Sequence, residues 1–113
     1  MTMVVDERVQ YILDHYLDRI RERFAPAQVW VWGSRAYGHP HEYSDVDMIL
    51  VSQRFAGLSF FDRRDLFREE TGILDDPAAE VVDVLSYTTE EFDRKVAAPT
   101  IVREAVRKGI RVE

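Results

Sequence analysis

The sequence contains no cysteine among its 113 residues. That absence excludes disulfide bonds and thiolate metal sites, and it agrees with an intracellular location. No apolar run approaches the roughly 18 residues that a membrane-spanning helix needs. The first residues, MTMVVDERVQ, lack the basic segment and apolar block of a secretory signal. We therefore predict a cytoplasmic protein that is not embedded in a membrane.

The sequence also lacks an excess of basic residues. It has 15 Lys and Arg against 21 Asp and Glu, a formal net charge of −6. Proteins that hold nucleic acid by themselves usually carry a basic face, whereas the bases here are interleaved with acids, as in DRIRERF and FDRRDLFREE. We therefore do not expect autonomous nucleic-acid binding. A local cluster of acids could still hold a divalent cation.

What is present is the composition of an ordinary globular domain. Apolar residues make up 46% of the chain and charged residues 32%, which is typical of folded proteins. A length of 113 residues suits one domain. We predict a single domain over residues 1–113, and the alternation of helical and strand patterns along it predicts an α/β fold.

The periodicity of the apolar residues assigns the elements. Apolar residues recur every three or four positions over residues 6–24, which predicts an amphipathic helix. Segments rich in β-branched, aromatic and aliphatic residues predict about three core strands, at 28–32, 46–51 and 80–87. Further helices are predicted over 60–74, over 88–96 and from Pro99 to Gly109. The result is a small mixed sheet flanked by helices.

Three aspartates stand out at the predicted strands. Asp45 and Asp47 are two residues apart at the start of an apolar strand, so their side chains point the same way. Asp83 interrupts the run VVDVL, where an acid is unfavourable unless it is paired or bound to a metal. If the two strands are neighbours, the three carboxylates converge. Mg²⁺ prefers such oxygen ligands, and two ions can serve one phosphoryl transfer.

The turn after the first strand supplies a complementary feature. Gly33 ends the strand and allows a phosphate to approach the backbone closely, while Ser34 offers a hydroxyl donor and Arg35 a cation. If a short helix follows, its first N–H groups also attract anions. A phosphate cradle beside an acid pair suits a nucleoside triphosphate with its metal ions. We expect Gly33→Val to block nucleotide binding, and to leave the fold largely intact if this glycine serves phosphate approach and not a strained turn.

Each of these features has an ordinary structural explanation when it is taken alone. A Gly-Ser turn is usually only a turn, Asp45 could cap a turn after Ser44, and Asp83 could pair with an arginine. The histidines His39 and His41 are better explained as exposed loop residues. The combination is more specific, because all its parts fall at strand ends in one ordered series.

The stretch GSRAYGHPHEYSDVDMIL resembles the signature of minimal nucleotidyltransferases of the DNA polymerase β superfamily. That signature has Gly-Ser, commonly Arg-Ala-Arg-Gly, a short spacer, Ser-Asp-x-Asp and an apolar strand. The residues that match it are Gly33, Ser34, Arg35, Ala36, Gly38, Ser44, Asp45 and Asp47. Asp83 matches the third carboxylate of the family. Tyr37 departs from the pattern, because it stands where the family often has a second arginine.

The resemblance implies the nucleotidyltransferase fold and transfer of a nucleoside monophosphate, with AMP from ATP expected and another nucleoside triphosphate as the alternative. It implies that Asp45, Asp47 and Asp83 are catalytic and hold two Mg²⁺ ions, or Mn²⁺. It also implies that Gly33, Ser34, Arg35 and Ser44 bind the nucleotide.

We expect a single domain of this length to lack the acceptor-binding domain that larger relatives carry. The resemblance to minimal members therefore suggests a partner in trans, a HEPN-family ribonuclease toxin (higher eukaryotes and prokaryotes nucleotide-binding). This chain would be its antitoxin and a protein adenylyltransferase. Two alternatives stay open: a non-catalytic module that neutralises its partner by contact, and nucleotidyl transfer to a small molecule such as an aminoglycoside, for which a homo-oligomer could complete the acceptor site.

Overall fold

The computed structural model of the protein describes residues 6–33, 45–79 and 82–113. These residues form four strands: β1 (Ala27–Trp32), β2 (Val46–Ser52), β3 (Val82–Tyr87) and β4 (Ile110–Arg111). They also form four α-helices: α1 (Glu7–Phe24), α2 (Phe60–Thr71), α3 (Thr89–Ala97) and α4 (Ile101–Lys108). Short 3₁₀ turns follow β2 and α2, at Gln53–Phe55 and Ile73–Asp75.

The four strands form one mixed sheet in the order β3-β2-β1-β4. β1 runs antiparallel to both β2 and β4, whereas β2 and β3 run parallel. This architecture confirms the predicted α/β class with a small mixed sheet. Because β2 and β3 are parallel neighbours, the starts of these two strands lie at the same end of the sheet.

Helices cover both faces of the sheet. The first face packs against α1 and α2, and its core includes Val29, Met48, Leu50, Val84, Ile12, Phe24 and Phe67. The second face packs against α3 and α4, and its core includes Ile49, Val51, Phe92, Val102 and Ala105. Residues on both faces of β2 are therefore buried, as its nearly continuous apolar sequence predicted. Across the described ranges, no helix combines the length and apolar character needed to cross a bilayer.

Capping residues explain where the helices begin and end. Asp6 caps α1 by accepting a hydrogen bond from the backbone N–H of Arg8 at 2.8 Å. Gly72 ends α2 with a φ of +75°, a conformation that glycine adopts without steric strain. The predicted helix therefore stops three residues early, since 72–74 leave the helical path. The last helix starts two residues after Pro99, because Thr100 provides its cap.

The fourth strand, β4, was not predicted, because it contains only two residues. It pairs with β1 through Trp30 and Val31, and the hydrogen bond from the N–H of Val112 to the carbonyl of Val29 (2.8 Å) extends the contact. Gly109 makes this approach possible. A Cβ there would lie 2.4 Å from the carbonyl of Ala105 and 2.7 Å from that of Val31.

Candidate functional site

The site begins with a row of side chains that crosses three strands. Trp32 at the end of β1 is the register partner of Asp47 in β2. Asp47 is in turn the register partner of Asp83 in β3. Register partners on adjacent strands project to the same face with their Cβ atoms close together. The pairing of β2 with β3 therefore brings together two acids that are 36 positions apart in the sequence numbering, Asp47 and Asp83.

Asp83 is exposed, although its sequence neighbours are buried. Val82 and Val84 are only 6% and 7% exposed because they face the core. Asp83 lies between them on the alternate face, where it is open to solvent. The premise that its apolar neighbours bury Asp83 was therefore wrong, and the exposed charge does not by itself require a partner. That Asp83 holds a metal ion stays a prediction.

Asp47 is the electrostatically perturbed member of the row. Its pKa is raised to about 6, first by burial and then by the negative charges of Asp83 and Asp45. Asp45 itself is exposed just before β2. Each additional negative charge disfavours ionisation of Asp47, and a cation placed here would reverse that effect.

Gly33 packs directly against the carboxylate of Asp47. Its φ is +84°, and a Cβ built on it would lie 2.4 Å from Oδ2 of Asp47. A side chain at this position would therefore strain the backbone and displace the carboxylate. The expectation that Gly33→Val would leave the fold largely intact depended on the glycine not serving a strained turn. The positive φ does not meet that condition, since the glycine serves both the turn and the position of Asp47.

The remaining residues that were predicted to bind nucleotide lie outside the described residues. These residues are Ser34, Arg35 and Ser44. His39, His41 and Tyr37, to which the sequence assigned no nucleotide contact, also lie outside the described residues. The predicted short helix after Gly33 falls there too.

The donor chemistry of the row suits a hard divalent cation. Carboxylate oxygens are the preferred ligands of Mg²⁺ and Mn²⁺. Burial and then the negative charges of Asp83 and Asp45 raise the pKa of Asp47, and a cation would offset the repulsion from those two charges. Among the residues that the structure describes, no three Asp, Glu or His side chains form a ready-made metal cluster. The acids thus fit a divalent ion by chemistry, although the described part of the chain does not form a closed ligand set.

Trp32 is a residue of this row that the sequence analysis treated only as a strand former. Its indole Nε1 is buried and has no hydrogen-bond partner among the described residues. A buried N–H without a partner is unusual. The signal in the sequence is its place at the end of a strand, directly before Gly33.

Comparison with known proteins assigns the part of the chain that contains this row to one family. The family model described as "Nucleotidyltransferase domain" matches residues 13–112. The fold is similar to that of a candidate nucleotidyltransferase from Sulfolobus solfataricus, with a TM-score of 0.57 and 21% sequence identity over 77% of this chain and 75% of that one. At that identity the likeness supports the fold alone. No curated protein matches the chain.

Proposed function

Since this chain belongs to the nucleotidyltransferase domain family, we propose that it transfers AMP from ATP to a hydroxyl group of a partner protein. The observation that carries the proposal is the register pairing of Asp47 with Asp83, next to a glycine that leaves no space for a side chain. This arrangement concentrates negative charge where metal-bound phosphates could be held. Proteins of this family generally use divalent metals, and the acids fit that use.

Asp45, Asp47 and Asp83 would hold Mg²⁺, or Mn²⁺ in its place. When bound, the metal supplies positive charge that stabilises the attacking and leaving oxygens of a phosphoryl transfer. The roles of the three acids need not be equal. Asp47 is half-buried and repelled by both neighbours, so it gains most from a cation. Asp83 is exposed and can meet an acceptor.

In the proposed reaction the oxygen of the acceptor hydroxyl attacks the α-phosphorus of ATP, and Asp83 accepts the proton of that hydroxyl. The bond from that phosphorus to the bridging oxygen breaks, and pyrophosphate leaves. Gly33 would let the phosphates approach the backbone, with Ser34, Arg35 and Ser44 as further nucleotide contacts. Positioning and charge neutralisation provide most of the acceleration in such a transfer.

The proposed acceptor is a tyrosine or serine of a HEPN-family ribonuclease, which the transfer would neutralise. The resemblance to minimal nucleotidyltransferases supports this choice. The net charge of −6 also supports it, since an acidic chain repels a free RNA strand. Screening beyond about 8 Å at physiological salt limits this bias.

The proposal is tested by expressing the protein together with a HEPN protein encoded beside it and measuring the partner's mass. We expect the mass of one AMP to be added, and we expect Asp83→Asn to abolish the addition. Asp65→Asn is the matched control, because Asp65 is an exposed acid on α2, away from the row. An unmodified but fully neutralised partner would contradict the transfer and favour neutralisation by contact.

A further inference from the structure

A pocket of about 510 Å³ lies at the opposite end of β3 from Asp83. The start of α2, the end of β3, α3 and the connection from α3 to α4 form its walls, and they contribute Phe60, Tyr87, Arg94, Lys95 and Thr100 among others. Tyr87 is four residues beyond Asp83, about 13 Å along an extended strand. The pocket is therefore spatially separate from the row of acids.

Large apolar side chains are exposed at this pocket. Phe60 and Phe61 are 69% and 75% exposed, and Ile101 is 60% exposed. They are the exposed large hydrophobic residues of the described ranges. Phe60 lines the pocket, and the ring of Phe61 contacts the ring of Phe60 edge to face, with centroids 5.6 Å apart. Ile101 directly follows the pocket residue Thr100 in the sequence. Single exposed apolar residues are ordinary, but a group at one pocket marks an interaction site.

One cation of the pocket, Arg63, is already paired within the fold. Arg63 donates to both carboxylate oxygens of Glu91, at 2.6 and 3.0 Å, and to the carbonyls of Leu58 and Ser86, each at 3.0 Å. Its charge and that of Glu91 therefore cancel. Arg63 acts as a structural element of the wall and is not available to a ligand.

The other two cations give the pocket a positive character. Arg94 and Lys95 lie in the last turn of α3, and among the described residues neither forms an ion pair with an acid. The Lys95 ammonium lies 5.4 Å from the ring centroid of Tyr87, a distance typical of a cation–π contact. Among the described residues that line the pocket, Glu91 is the one acid, so a positive patch exists here on a chain of net charge −6.

We propose that this surface, defined by Phe60, Phe61, Tyr87, Arg94 and Lys95, docks an acidic segment of a partner protein that carries an aromatic or large aliphatic side chain. The pocket holds the apolar side chain, the two phenylalanines cover its flank, and the cations face the segment's carboxylates. Buried aromatic anchors with surrounding charges are the usual energetic centre of such interfaces.

Charge favours this occupant over the others. Nucleic acid generally requires a broad basic face. This surface instead has two cations, Arg94 and Lys95, that form no ion pair with the described acids, on a chain of net negative charge. A second copy of the chain would also carry a net charge of −6 and would be repelled. A small metabolite would fill the pocket and leave Phe61 exposed. The inference rests on this surface alone and does not depend on nucleotidyl transfer.

The test measures fluorescence anisotropy of a labelled synthetic peptide in which one phenylalanine and one leucine are flanked by glutamates. We expect saturable binding that weakens about tenfold, or more, in the double variant Arg94→Glu, Lys95→Glu, because two attractions become repulsions. Arg107→Glu, Lys108→Glu is the matched control, since these residues are the adjacent cations in the last turn of α4. It should bind like the wild type.

Additional variants and peptides measure the apolar contribution to binding and distinguish a partner segment from a second copy of the chain. Phe60→Ser, Phe61→Ser should also weaken binding about tenfold, and a peptide with alanine in place of phenylalanine and leucine should bind weakly. The Asp47→Asn variant should bind the peptide normally, which distinguishes docking from failure of the transfer site. Equal binding by both charge-reversed doubles, or no binding by the wild type, would overturn the proposal. Sedimentation showing a dimer that only the phenylalanine variant loses would assign the surface to a second copy.

Discussion

Two carboxylates at opposite ends of the sheet have opposite environments. At the end where β2 and β3 begin, Asp47 lies beside Asp83 and near Asp45, and its pKa is raised to about 6. At the end where β3 finishes, Glu91 forms a bidentate ion pair with Arg63, and hydrogen bonding to that guanidinium lowers its pKa to about 2. The folded protein therefore disfavours the ionised form of Asp47 and favours the ionised form of Glu91.

The comparison separates an acid suited to bind a ligand from an acid that stabilises the fold. Arg63 links Glu91 to the carbonyls of Leu58 and Ser86, so this ion pair joins α2, α3 and β3. Crowded acids such as Asp47 and Asp83 make the apo protein less stable. We expect a fold to retain such a cluster where it serves binding or catalysis, as perturbed acids in functional sites often do.

The largest expected effect is the loss of activity in Asp47→Asn. Removing a charged ligand of the proposed metal site should reduce nucleotidyl transfer about 10³-fold, similar to the loss of a major electrostatic contribution to a transition state. Pyrophosphate release measured with ATP, Mg²⁺ and the acceptor checks this. Glu91→Gln is the informative comparison, because it replaces the other carboxylate with a carboxamide in the same way. Full activity in Asp47→Asn would remove this acid from the mechanism.

A smaller effect is expected on stability when Arg63 is removed. Its side chain is 13% exposed and satisfies one carboxylate and two carbonyls. Arg63→Ala should lower the free energy of unfolding by about 2–3 kcal/mol, since breaking a largely buried pair leaves its partners unsatisfied. Urea denaturation measures this change. Arg64→Ala, at the next, exposed position of α2, should change it by no more than about 0.5 kcal/mol.

The acid dependence of stability should report the Glu91 ion pair. The folded-state pKa of Glu91, about 2, is below its ordinary value of 4.5. Its contribution is therefore present above pH 4.5 and is lost as the pH falls towards 2. After allowance for the partial exposure of the pair, Glu91→Gln should destabilise the protein by about 1–2 kcal/mol at pH 7. It should also reduce the loss of stability as the pH falls below 4.5. Urea midpoints across this range test it, and parallel slopes for both proteins would contradict it.

The smallest effect is expected from Asp47 in the absence of metal, and it has the opposite sign. Its folded-state pKa of about 6 exceeds the ordinary 3.8, so the folded state binds more protons between these values. Stability should therefore fall as the pH rises through this window. In EDTA at pH 8, Asp47→Asn should be more stable than the wild type by about 1 kcal/mol. Thermal denaturation with EDTA checks this, and a variant less stable than the wild type would contradict the idea that the charge of Asp47 destabilises the metal-free protein.

Local patterns predicted most of the elements. The start of α1 agrees within one residue, because the Asp6 cap and the apolar spacing are both local signals. β2 agrees equally well, since an almost uninterrupted apolar run favours a central strand. The strand β4 was missed because its two residues are too short for a pattern, and it forms only where Gly109 permits close approach to β1.

The candidate site divides in the same way. Gly33, Asp45, Asp47 and Asp83 could be selected from their types and their places at strand ends. The contact between Gly33 and Asp47 and the burial of Trp32 Nε1 could not be predicted. Those features depend on the pairing of β1 with β2, which joins residues that are apart in sequence.

Phe60 and Phe61 show where periodicity is misleading. Both belong to the apolar pattern that predicted α2, yet both are exposed, and Phe67 on the same helix is the fully buried phenylalanine. Their helical state followed from the sequence. Which of them faces the core was decided by how α2 packs on the sheet.

The sequence by itself determined the helices, the three longer strands and the types of the candidate site residues, because short-range spacing and capping carry that information. The tertiary structure decided that Asp47 opposes Asp83, that Arg63 binds Glu91 and that the exposed phenylalanines border a positive pocket. The physical reason is that register, burial and electrostatic coupling arise only when distant segments pack together. The same carboxylate can then be stabilised or repelled, according to the neighbour it meets.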